Sequence, residues 1–162
     1  MKGHSGFTAF ELAVTLAVVA LIASLALPPY LKWLREHRLR GAVTNLKADL
    51  EMAKIKAIRQ NSLVAVQLCR DSYTIFNENG DTNYTCKRGG REVYRTRKLP
   101  AGVKIDLENL TFSDDRIRFN GRGLPDGMIA SKKILIKNPD SGQEITINRL
   151  GHMEVQMSLI HI

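Results

Sequence analysis

From Phe7 to Leu27 the chain runs 21 residues with a single charge, Glu11. At about 1.5 Å per residue, a helix of that length spans roughly 30 Å, the hydrocarbon thickness of a bilayer. The sequence therefore specifies a membrane before anything else. Three readings of the stretch compete. A cleavable secretory signal would use Lys2 as its positive region and Ser24-Leu25-Ala26 as its small-residue cleavage site. Glu11 and a run longer than the usual 7–15 residues of a signal's apolar region count against it. A plain single-span anchor would keep Glu11 as a helix-start acid favoured by the N-terminal dipole. A processing junction at Gly6-Phe7 would make Glu11 a functional ion, the default reading of an ionisable group within a span.

Gly6-Phe7-Thr8-Ala9-Phe10-Glu11 followed by an apolar helix resembles the class III signal of type IV pilins and pseudopilins. The resemblance implies that a prepilin peptidase cuts between Gly6 and Phe7 and that Phe7 is then N-methylated. Pro28 falls where that family's helix commonly carries proline. Pro29, Ala9 and Phe10 depart from the usual pattern but keep its apolar character. Physics gives Glu11 a matching role. Cleavage exposes an α-amino group, mostly protonated at neutral pH with a reference pKa of about 7.7–8. An ammonium and a carboxylate in a low-dielectric layer attract strongly, and either left alone is costly. By resemblance, Glu11 of one subunit pairs with the terminal amine of its neighbour and sets register. The bland alternative is a carboxylate that snorkels to the interface.

The rest of the chain is one modest domain, since 162 residues and 18.2 kDa leave no room for two. A formal charge of +8 permits anionic lipid, acidic proteins or nucleic acid as partners without choosing among them. Beyond Pro28-Pro29 the helical pattern resumes, with Leu31, Leu34, Leu39, Val43, Leu46, Leu50, Ala53, Ala57 and Ile58 as an apolar stripe. Arg35, Arg38, Lys47, Asp49, Glu51, Lys54 and Lys56 are assigned to the remaining faces. The helix is predicted to end near Asn61-Ser62, and Pro28 to kink or locally melt it. Strands are predicted at 63–68, 72–76, 91–97, 103–107, 116–119, 134–136, 144–147 and 153–159, with 138–142 a hairpin turn.

Leu99-Pro100-Ala101-Gly102-Val103, Ile117 to Pro125 and Ile145-Thr146-Ile147-Asn148 with Gly151 are similar to minor pseudopilins and minor pilins of the GspH/FimT/FimU type. The implied fold is α+β, a long N-terminal helix packed on an antiparallel β-sheet domain. The implied layout is a leader at 1–6, a transmembrane and filament-core helix at 7–29, its amphipathic continuation at 30–62 and a periplasmic β-domain at 63–162. Implied partners are other pilins or pseudopilins in a filament, the prepilin peptidase, an inner-membrane assembly platform and the lipid bilayer. The implied location is the bacterial inner membrane, single-pass, then the filament.

Cys69 and Cys86 flank a predicted hairpin and would lie in an oxidising compartment if exported. They are read as a disulfide pair, with two free thiols as the alternative. Asn77, Asn79, Asp81 and Asn83 alternate like calcium-loop ligands, yet hold one acid and a misplaced Gly80, so hydrated turn residues are expected and no metal. Lys87, Arg88, Arg91, Arg95, Arg97 and Lys98, interleaved with Tyr84 and Tyr94, have a composition that grips a nucleic-acid backbone. Some FimT-like minor pilins are DNA receptors through an arginine-rich C-terminal region. Here Asn148 to Glu154 holds one arginine, so solvated faces or contacts to acidic subunits are the preferred reading. His4, His37, His152 and His161 are scattered, and no nucleophile elbow or zinc spacing occurs. The expectation is a structural subunit without cofactor, and not an enzyme.

Overall fold

The structure is a computed structural model and describes residues 8–78, 86, 92–110, 112–127 and 130–158. A single helix, α1 (Ala9–Gln60), opens the chain. By contacts the chain divides between Leu34 and Arg35 into two compact units.

In the first unit the large apolar side chains of the helix are exposed, from Phe10 and Leu12 through Leu25 and Leu27. Pro28 and Pro29 both lie within α1. Tyr30 and Trp33, one turn apart, stack at 6.1 Å between ring centroids.

In the second unit, Leu39, Ala42, Val43, Leu46, Asp49, Leu50, Ala53 and Ala57 are buried, a stripe at spacings of three and four. Two antiparallel four-stranded sheets receive it. The first has the order β3 (Val93–Lys98), β2 (Ser72–Asn77), β1 (Val64–Cys69), β5 (Arg116–Phe119). The second has the order β4 (Lys104–Ile105), β6 (Lys132–Lys137), β7 (Gly142–Ile147), β8 (Met153–Ser158). Period-two alternation sends Val64, Val66, Leu68, Tyr73, Ile75, Ile117 and Phe119 from the first sheet into one core with Ile134, Ile136, Ile145, Ile147 and Met153 from the second. The fold is therefore the α+β arrangement of helix on antiparallel sheets that the sequence predicts.

The helix ends where turn residues replace helix formers. Ser62 N–H donates to Ala57 C=O and Asn61 N–H to Ile58 C=O, while Asn61 takes φ 45°. That is a Schellman cap with asparagine in the left-handed position. Three assignments need correction. Asp49 does not lie on a solvated face but is 3 % exposed within the stripe, and Leu31 and Ile58 are exposed. Helical spacing puts position 49 beside Leu46 and Leu50, and only a partner from the sheet makes a carboxylate tolerable there.

Candidate functional site

Two features carry functional weight: the start of the apolar helix and the charged locks that fix the domain. Thr8 is the N-cap, since Leu12 N–H donates to its carbonyl and Glu11 N–H to its hydroxyl at 3.2 Å. The same hydroxyl lies 3.5 Å from the Glu11 carboxylate, so Thr8-Ala9-Phe10-Glu11 has the spacing of a capping box. Within the span, Thr15 donates to Leu12 C=O at 2.8 Å and Ser24 to Leu21 C=O at 2.7 Å. Those hydroxyls are satisfied by their own helix. Glu11 is exposed, and among the described residues its carboxylate accepts only from the Thr8 hydroxyl. A carboxylate on a helix long and apolar enough to cross a membrane thus keeps unspent acceptor capacity. Gly6 and Phe7 lie outside the described residues.

Asp49 is the hub of the first lock. Tyr73 hydroxyl donates to its Oδ2 at 2.7 Å, Arg97 Nε to the same oxygen at 2.9 Å and Arg95 Nη1 to Oδ1 at 2.8 Å. Burial first, then the bond to Asp49, pushes the Tyr73 phenol far above its ordinary range, so it stays a donor. Arg95 and Arg97 share one face of β3 opposite Ile75 and Tyr73 of β2. The register shifts between Ile75 and Phe76, which makes Tyr94 an extra, bulged residue. Its hydroxyl donates to Gln60, and Lys56 sits 4.1 Å above its ring. Of the basic cluster read from sequence, Arg95 and Arg97 therefore bind the helix, and Lys98 ends β3. Lys87, Arg88 and Arg91 lie outside the described residues.

The second lock sits on the far face of the first sheet. Glu78, 3 % exposed, accepts from Arg116 Nη1 at 2.8 Å and Arg118 Nε at 2.7 Å. Arg116 Nε also donates to Gln67 Oε1 at 2.7 Å, and Gln67 Nε2 donates to Asp114 C=O at 3.1 Å. Every charge there has a partner, which a buried ion pair requires. Cys69 lies on this face and is bonded to Cys86, with 5.7 Å between Cα atoms. Asn77 donates to Glu92 at 2.9 Å. Asn79, Asp81 and Asn83 are outside the described residues, and no group of three His, Cys, Asp or Glu able to hold a metal occurs among the described ones.

Two loops clamp the end of α1. Asn120 Oδ1 accepts from Arg122 and Leu124 N–H, and Asn148 Oδ1 from Leu150 and His152 N–H, each side chain replacing a backbone turn acceptor. A Cβ on Gly121 would overlap Asn61 Oδ1 and lie 3.1 Å from Asn61 Cα. Gly123, at φ 74°, leaves the same close space beneath Ile58. Lys54 donates to Gly151 C=O at 3.0 Å. At the other end, Asn138 Nδ2 donates to Arg35 C=O at 3.1 Å and Arg35 pairs with Asp140.

An apolar helix that leads into a domain of two antiparallel sheets, with one acid in its first turn, defines a pilin-like protein. The model of the type II transport protein GspH family matches residues 42–151, and the chain belongs to that family. Among solved structures it is similar to the type IV minor pilin FimU of Pseudomonas aeruginosa at 14% identity and TM-score 0.55. That match covers 73% of this chain and 92% of FimU. It is also similar to the minor pseudopilin EpsH of the Vibrio cholerae type 2 secretion system, at 12% identity and TM-score 0.54, over 74% of this chain and 97% of that one. At such identities the likeness concerns the fold. Comparison with curated protein sequences gives no match.

Three partners escape a reading of the sequence: Tyr73 for Asp49, Gln67 for Arg116 and Glu78 for both Arg116 and Arg118. Asp49 within an apolar stripe is a usable signal. Nothing local marks Glu78, whose partners are 38 and 40 residues away.

Proposed function

We propose that the chain is a minor pilin or pseudopilin, a structural subunit of a type IV pilus or a type II secretion pseudopilus. It is inserted in the inner membrane with the β-domain in the periplasm, trimmed between Gly6 and Phe7 by a prepilin peptidase, methylated on Phe7 and assembled through an inner-membrane platform. The observation that carries this reading is the exposed apolar helix with Glu11 in its first turn. Exposing some twenty apolar residues to water is strongly unfavourable, so the helix passes from lipid directly into a bundle of like helices. In that bundle Glu11 receives the terminal amine of a neighbour. Pro28 and Pro29 lack the N–H of a regular helix, so a bend at the membrane border accompanies the passage. Tyr30 and Trp33 have the chemistry of the aromatic belt at that border.

Mass spectrometry of the native protein tests it. The expected mature terminus is N-methylated Phe7; a terminus at Leu27, or an intact Met1 in the assembled state, sinks the reading. The alternative is a DNA-uptake receptor, in which Arg95 and Arg97, bound to Asp49, would still present exposed guanidinium edges. Salt-sensitive micromolar binding of duplex DNA by the full chain would favour it, and its absence would dispose of it.

A further inference from the structure

The outer strands of the two sheets, β3 and β8, differ in how they treat an approaching chain. The β3 edge carries the Tyr94 bulge and the basic residues Arg95, Arg97 and Lys98, features that keep foreign strands away. The other two edges are short: β4 has two residues, and β5 is bridged at Phe119 to Pro125. Among the described residues the β8 edge has none of these protections. It runs six residues, Met-Glu-Val-Gln-Met-Ser, in unbroken register with β7 from Met153↔Ile147 to Ser158↔Gly142. It holds no proline, no bulge and no basic residue.

The hydrogen-bonding groups of β8 that no described residue pairs can be assigned. Asn148 N–H donates to His152 C=O at the β7–β8 turn. Antiparallel pairs alternate, so Glu154, Gln156 and Ser158 bond β7. The N–H and C=O groups of Met153, Val155 and Met157 then point outward. Val155 and Met157 are 42 % and 69 % exposed, although their β7 partners Ile145 and Gln143 are buried. Beside them lies a groove of ≈ 250 Å³ between Glu36, Leu39 and Arg40 of α1 and Ser141, Gln143 and Met157.

We infer that β8 is an acceptor edge, on which an extended segment of a different filament subunit adds as a fifth strand. This rests on the proposed role as a filament subunit. A row of outward backbone donors and acceptors is matched by another extended backbone, and the groove takes the alternate apolar side chains of that segment. Unbranched Met157 adapts its shape to them. A second copy is a poorer occupant. Antiparallel pairing of β8 with β8 places a two-fold axis normal to the sheet and reverses the Arg35–Gln60 helix in the mate. Two chains anchored in one membrane enter their domains from the same side.

The test uses the full chain in its own membranes, with filament and membrane fractions separated. Val155→Pro removes an outward N–H and spares the β7–β8 ladder, a substitution that edge strands tolerate. The expected result is an unchanged unfolding temperature with at least tenfold less chain in the filament fraction. In wild-type chain the Val155 and Met157 amides exchange fast in detergent and slowly in the filament. A photo-reactive residue at Met157 joins an extended segment of another pilin-like subunit. Normal incorporation of the proline variant, fast exchange of both amides in the filament, or a cross-link between two copies each overturns the inference. Wild-type chain that never reaches a filament overturns the proposed function as well, which separates the two failures.

Discussion

Tyr73 and Asp49, 24 residues apart, meet through a 2.7 Å hydrogen bond in the core between helix and sheet. With Arg95 and Arg97 on the same carboxylate, this contact fixes where along the helix the first sheet sits. Removing the carboxylate strands a buried phenol, while the two guanidiniums, 46% and 36% exposed, regain water. Asp49→Ala is expected to cost about 2–3 kcal/mol, and Tyr73→Phe about 1, because the latter leaves both arginine bonds in place. Urea unfolding of the detergent-solubilised chain measures both. Equal costs would mean that the arginines contribute nothing.

The Asp106 carboxylate supplies a pH-dependent part of stability. Chiefly the hydrogen bond from Lys137, at 2.7 Å, holds it below the usual carboxylate range, with burial opposing and Asn109 assisting. A carboxylate whose folded pKa is depressed stabilises the fold above its unfolded value near 4, and that contribution disappears as pH falls through the folded value. Unfolding temperature is expected to drop with acid, and Asp106→Asn to flatten that part of the profile. Lys137 is half exposed, so the loss at neutral pH is about 1 kcal/mol. An unchanged profile in the variant rules the contribution out.

The Cys69–Cys86 bridge closes a separation of 17 residues. Restriction of the unfolded chain over such a loop is worth about 3 kcal/mol. Cys69→Ser, or reduction under non-denaturing conditions, is expected to lower the urea midpoint accordingly without altering the helix content seen by circular dichroism. A midpoint unchanged by reduction would exclude this contribution.

Gly121 passes so close to Asn61 that a Cβ would displace the Asn61 amide oxygen and press on Asn61 backbone at 3.1 and 3.2 Å. Gly121→Ala is expected to destabilise by about 1–3 kcal/mol, as overpacking does. Gly41, where a Cβ would meet nothing within 4 Å, is the comparison site: Gly41→Ala in the helix interior is neutral or stabilising by about 0.5–1 kcal/mol. Thermal unfolding of the two variants side by side decides it, and a harmless Gly121→Ala would remove the clamp from the account.

Much of this architecture is readable without coordinates, because its signals are local. An apolar run of bilayer length, a stripe at spacings of three and four, Asn-Pro-Asp-Ser-Gly between alternating segments and an asparagine at the helix end each report a backbone state set by neighbours in sequence. Strand limits are less legible: β4 is two residues where the sequence predicts five, since pairing with Lys137 and Ile136, not propensity, defines it. The basic cluster is legible only in part for the same reason. Composition shows that Arg95 and Arg97 are cationic, but only the bulge at Tyr94 and the register of β3 on β2 show that they reach Asp49. The sequence alone settled the membrane-length helix, the helix-then-strands order and the lone acid at its start, all consequences of short-range periodicity and chain chemistry. Only the tertiary structure decided which charges are paired inside, which glycines carry a close approach and which strand edge no described residue pairs, because those depend on groups brought together across about 40 to 100 residues, as between Lys54 and Gly151.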